Sequence, residues 1–212
     1  MAATDSARAA AVARGVRLEV VTVAWMAVES VVAIGAGIAA KSVLLTAFGV
    51  DSVIELISGV VLLWRLGLES RGDSTDRVDR LEATTTRISA VLLVLLCVYV
   101  VVSSVAGFAF GLRPEGSLLG IGVAAVALVA MPALALGKSR ANRVIGSASL
   151  RADIAETTTC AYLAGVTLLG LGLSTVFGIW WIQYVAALAL LIWLVPETRE
   201  ALEAVGGEHR ES

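Results

Sequence analysis

Long apolar runs make up most of the chain, and short polar stretches divide them into six. The runs cover residues 20–40, 44–64, 88–111, 117–137, 146–172 and 176–195. A helix that crosses a bilayer core of about 30 Å needs roughly 20 apolar residues, so each run is long enough to span. The pattern predicts an all-α polytopic membrane protein with six transmembrane helices over 20–195, a tail at 1–19 and a second tail at 196–212. Between the second and third runs, RLGLESRGDSTDRVDRLEATTTR alternates in sign and reads as a solvated linker. The closing stretch ETREALEAVGGEHRES is too short to fold alone, and its His209 reads as solvent-exposed.

Composition agrees with the pattern. The 212 residues are 58% hydrophobic and 16% charged, with a mean hydropathy of +0.88, which excludes an ordinary soluble domain. The first apolar run is too long for the core of a secretory signal, so it counts as a span. Cys97 and Cys160 both lie inside runs, where a disulfide framework is not expected. Of the 16 Lys and Arg residues, all but Lys41 and Arg113 fall on one side of the predicted topology, Lys138 among them. The positive-inside rule then places both termini in the cytoplasm. Trp64 and Trp193 fall at the inner interface, and Trp180 and Trp181 at the outer one. The Ala, Val, Gly and Arg bias suggests a bacterial source, hence the cell membrane, and no nucleic-acid partner is expected.

Charge inside the runs is confined to three of them: Glu29 in the first, Asp51 and Glu55 in the second, Arg151, Asp153 and Glu156 in the fifth. A carboxylate at a helix centre costs roughly 2.5–3.5 kcal/mol to insert, so such residues mark a bundle interior or a water path. Glu55 lies ten residues before Arg65 and Asp51 fourteen; Glu156 lies ten beyond Gly146 and Cys160 fourteen; Glu29 lies twelve beyond Arg17. At a rise of about 1.5 Å per residue, all five fall in a slab roughly 6 Å thick. The second and fifth runs are antiparallel, so Glu55 levels with Glu156 and Asp51 with Cys160. Spacing of i,i+4 puts each pair on one helix face.

Three carboxylates and a thiolate around a point suit a divalent cation, and four-fold tetrahedral ligation is the habit of zinc. Without a cation the clustered acids could not all stay ionised in a low dielectric. A site that exchanges a metal ion for protons follows from that competition. Glu29 reads as a residue behind the ligands or a proton relay. Asp153, one turn before Glu156, reads first as a partner for Arg151 and second as a guide for cations. Cys97, Ser103, Ser104 and the small residues of AIGAGIAA, 33–40, read as helix-packing positions. A weak repeat supports the pairing of runs two and five: a shift of 105 residues lays Ser42 on Ser147, Leu45 on Leu150, Asp51 on Glu156 and Glu55 on Cys160.

At these residues the chain resembles the cation diffusion facilitator family of divalent-metal/proton antiporters. KSVLLTAFGVDSVIELISG is similar to that family's second span, with a leading Ser and an acid pair four residues apart. GSASLRADIAETTTCAYLAGVTLLGLGL is similar to its fifth. The resemblance implies a transport site of Asp51, Glu55, Glu156 and Cys160, with no catalysis and no cofactor beyond the transported ion. That ion is Zn²⁺ first, with Mn²⁺ and Fe²⁺ as alternatives. It also implies proton exchange and a homodimer in the lipid bilayer. Two site features depart from the family: no histidine is present, and Cys160 stands where Asp is usual. No C-terminal cytosolic domain follows the last run, so a short, membrane-only branch is expected.

Two other classes share part of the pattern. A metal-binding sensor or scaffold would use the same residues without moving the ion. An intramembrane aspartyl hydrolase needs two aspartates face to face, and the depth count separates Asp51 from Asp153 by about 10 Å.

Overall fold

The computed structural model describes residues 2–69 and 76–208, and over these the chain folds into six α-helices. They are α1 (Ala2–Ala39), α2 (Val43–Glu69), α3 (Asp76–Ala109), α4 (Leu118–Ile145), α5 (Ala148–Phe177) and α6 (Ile182–Glu208). Five contain a stretch long and apolar enough to cross a membrane: Ala10–Ala39, Val43–Arg65, Arg87–Ala109, Leu118–Ile145 and Leu150–Phe177. The sixth leaves its apolar stretch at Pro196 and stays helical to Glu208.

Helices overrun the apolar runs at their polar ends. Most of the stretch read as a linker is helix, residues 65–69 closing α2 and 76–87 opening α3. Charges four apart, such as Asp76 and Arg80, favour helix in water as much as they mark a linker. The tail after Pro196 likewise continues α6 instead of standing apart. The sixth run starts later than its apolar pattern suggests, because Gly178 adopts the left-handed φ of 68° that ends α5. The readings on Arg71, His209 and Arg210 lie outside the described residues.

The repeat extends from residues to whole elements. Shifted by 105, Val43 at the start of α2 falls on Ala148 at the start of α5, and Asp76 falls one residue short of α6. The matched serines do the same work: Ser42 Oγ accepts from Leu45 N at 3.2 Å, and Ser147 Oγ from Leu150 N at 3.3 Å. Each caps orphan amides at a helix start. Helix pairing follows the same relation, since α1 packs on α2 as α4 packs on α5, while α1 meets α4, α3 meets α6, and α2 crosses α5. With three helices per copy, the second copy runs in the opposite sense to the first.

Small residues let α1 and α2 approach closely. A Cβ on Gly37 would lie 2.7 Å from the Thr46 amide, and one on Gly49 2.8 Å from that of Ile34. Gly35, in the same small-residue run, meets open space. Around this contact Leu44, Leu45 and Phe48 of α2 are fully buried, as are Leu163 and Leu171 of α5. The face of α2 that carries Asp51 and Glu55 is therefore held at the centre of the bundle.

Candidate functional site

Near the middle of the bundle α1, α2 and α5 meet through Glu29. Its Oε1 accepts from Ser52 Oγ at 2.8 Å and from Cys160 Sγ at 3.6 Å, and its Oε2 accepts from Trp25 Nε1. Glu29 is fully buried yet well supplied with donors, so it works as an anchor among three helices. Cys160 also adjoins Glu55.

Asp51 and Glu55 are in the opposite condition. They are 2% and 3% exposed, and none of their four carboxylate oxygens has a hydrogen bond of acceptable geometry among the described residues. Buried polar groups without partners cost free energy, so this pair has unused acceptor capacity one turn apart on one helix. Asp51 lies within electrostatic reach of Glu197, Glu156 and Glu29. The structure thus gathers Glu29, Asp51, Glu55 and Cys160, while Glu156 stands half-buried on an adjoining cavity wall. Among the described residues no group of three His, Cys, Asp or Glu side chains is arranged to hold a metal ion.

That cavity, about 840 Å³, opens beside Glu55 toward the end of the bundle that carries α2's Arg65 and α6's Glu200. Asp153, Glu156 and Glu197 also line it. In sequence Glu197 follows the last apolar run, so hydropathy gives no sign that it joins this cavity. Burial and then the neighbouring Glu200 raise its pKa to about 7.

A second polar cluster lies at the same end, buried between α1, α4 and α5. Lys138 Nζ sits 2.8 Å from Glu19 Oε2 and 2.7 Å from Asp153 Oδ2, and donates to Thr157 Oγ1 at 3.3 Å. Lys138 and Glu19 are fully buried. Two expectations are corrected here. Asp153 pairs with Lys138 and not with Arg151, which is exposed, and Lys138 is a core residue of α4, not a loop cation. Both changes have one cause: α4 continues helically to Ile145, which turns Lys138 inward, where only a paired charge is tolerated. With its carboxylate taken up by Lys138, Asp153 does not face Asp51 as an aspartyl hydrolase would require. Glu19 could have been flagged as the acid that follows Arg17 into the first run, but nothing in the pattern gives its partner.

The profile of the cation efflux transmembrane domain family matches residues 20–204. No curated protein matches the chain.

Proposed function

Because the chain belongs to the cation efflux family of transmembrane domains, we propose that it exports a divalent cation, Zn²⁺ or a similar ion, in exchange for protons. The observation that carries this reading is the Asp51–Glu55 pair, buried at the bundle centre with none of its four oxygens hydrogen-bonded among the described residues. Such a pair is served either by a cation or by protons, and alternation between the two is antiport. Glu156, reached across the cavity, and Cys160, beside Glu55, complete the ligand set from α5. Glu29 holds Cys160 and Ser52 in place and thereby fixes the rotation of α5 and α2 against each other.

In the orientation with both termini in the cytoplasm, the cavity faces inward, and an ion arriving from inside meets Glu197 and Glu156 before Glu55. Helix rearrangement would bring the donors around the ion and then open the other side. The inverted relation of α1–α3 to α4–α6 supports such alternation, since a bundle made of two opposed copies has two related ways to open. A homodimer in a bacterial cell membrane is the setting proposed for it.

The test is metal uptake into proteoliposomes under an imposed pH gradient. Wild-type protein should move Zn²⁺ against protons, and Asp51→Ala and Glu156→Ala should reduce flux to that of empty vesicles. Tight binding without proton-coupled flux would make the protein a sensor or scaffold instead. Unchanged flux in both variants would remove these residues from the site.

Cys160 affects the choice of ion. A thiolate favours Zn²⁺ over the harder Mn²⁺, so Cys160→Ser should weaken Zn²⁺ binding by about tenfold or more while changing Mn²⁺ binding little. Titration calorimetry with the two ions reads the difference; equal losses for both would make Cys160 a packing residue.

A further inference from the structure

The cavity has acidic side chains on three helices, and α2 and α5 account for only part of them. Glu197 belongs to α6, directly after Pro196, and lines the cavity together with Glu55 and Glu156. Its Oε2 is buried and has no hydrogen-bond partner among the described residues. Glu197 lies within electrostatic reach of both Asp51 and Glu55, so α6 presents a further carboxylate to the buried pair. Glu55, only 3% exposed and without a hydrogen bond among the described residues, lines the same cavity. The acidic wall thus ends on a buried carboxylate that has no hydrogen bond among the described residues.

Pro196 adds a second oxygen. Proline has no amide hydrogen, so within α6 the carbonyl of Ile192, four residues earlier, loses its helical partner. Ile192 and Pro196 both line the cavity. α6 stays helical through Pro196, and a carbonyl freed in this way beside a cavity is open to water, a side chain or a cation.

We infer that the cation site extends onto α6, where the Glu197 carboxylate and the Ile192 carbonyl bind a divalent cation through oxygen on the cavity side of Asp51 and Glu55. This rests on the proposed metal site at Asp51 and adds a third helix to it. Carboxylate and carbonyl donors suit hard ions, so Mn²⁺ is the probe that reads this extension with least interference from the Cys160 thiol.

Mn²⁺ binding to the purified, detergent-solubilised protein, followed by the electron paramagnetic resonance signal of the free ion, tests it without transport. Glu197→Gln should weaken binding by about tenfold or more. Glu203→Gln, an exposed position on α6 away from the cavity lining, should stay within about twofold, as screened surface charges do. If Glu197→Gln does not fold, Pro196→Ala decides in its place. That change returns an amide to the Ile192 carbonyl, is favourable for the helix, and should also weaken Mn²⁺ binding. Wild-type affinity in the deciding variant, with binding lost in Asp51→Asn, overturns the α6 extension alone. Wild-type affinity in Asp51→Asn overturns the underlying site as well.

Discussion

Replacing Lys138 by Met should destabilise the protein by about 3–5 kcal/mol, the usual cost of breaking a buried ion pair from one side. Lys138 Nζ is shared between Glu19 Oε2 at 2.8 Å and Asp153 Oδ2 at 2.7 Å, and Lys138 and Glu19 are wholly buried. Removing the ammonium leaves two carboxylates facing each other without a counter-ion and unties α1, α4 and α5 at one end of the bundle. Met keeps most of the side-chain volume, so the loss reports charge and not a cavity. The triple variant Glu19→Gln/Lys138→Met/Asp153→Asn should recover most of the stability, because no ion is then left unpaired. Unfolding of the detergent-solubilised protein measures both. A single variant as stable as wild type would mean that the cluster does not hold these helices together.

The apolar runs revealed much of this architecture, because a helix in lipid must be long, apolar and internally hydrogen-bonded. Helix rise is fixed and the ends of the runs serve as rulers, and Glu29 and Cys160, counted to one slab, lie in contact at 3.6 Å. At the polar ends the same logic fails. Residues 76–87 and the stretch after Pro196 are helical although no lipid requires it, and hydropathy carries no signal for helix that continues into water. Glu197 was lost in that way, assigned to a tail by a boundary that exists in hydropathy but not in the fold. The partner of Asp153 was lost for another reason. Arg151 is near in sequence, but on a helix a residue two positions away points elsewhere, whereas Lys138 comes from a different helix and becomes visible only when α4 and α5 are packed. The repeat gained most from the structure. Its few matched polar residues understated a correspondence that includes the serine caps and the helix pairing.

Asp51→Asn should separate function from stability in the opposite sense to Lys138→Met. The Asp51 carboxylate has no hydrogen bond to lose among the described residues, and the amide is its near-isostere. Stability of the metal-free protein should therefore stay within about 1 kcal/mol of wild type, because without a cation the site takes up protons and burial penalises a neutral acid and an amide alike. The response to metal should collapse. An ion at 100 times its dissociation constant stabilises a protein by about 2.7 kcal/mol. A hundredfold loss of affinity, about what removal of a metal-site group brings, leaves about 0.4 kcal/mol at the same concentration. Thermal unfolding across a Zn²⁺ titration reads both quantities in one experiment. Lys138→Met should unfold earlier at every concentration yet keep its metal-dependent rise, since Lys138 holds Asp153 and Thr157 and not the Asp51–Glu55 pair. Asp51→Asn should start near wild type and stay there as metal is added. A full metal-dependent rise in Asp51→Asn would sink the assignment of Asp51 as a ligand, whatever the transport assays report. The contrast follows from one difference in the structure: Asp153 already has its cation in Lys138, whereas Asp51 has no hydrogen-bond partner among the described residues.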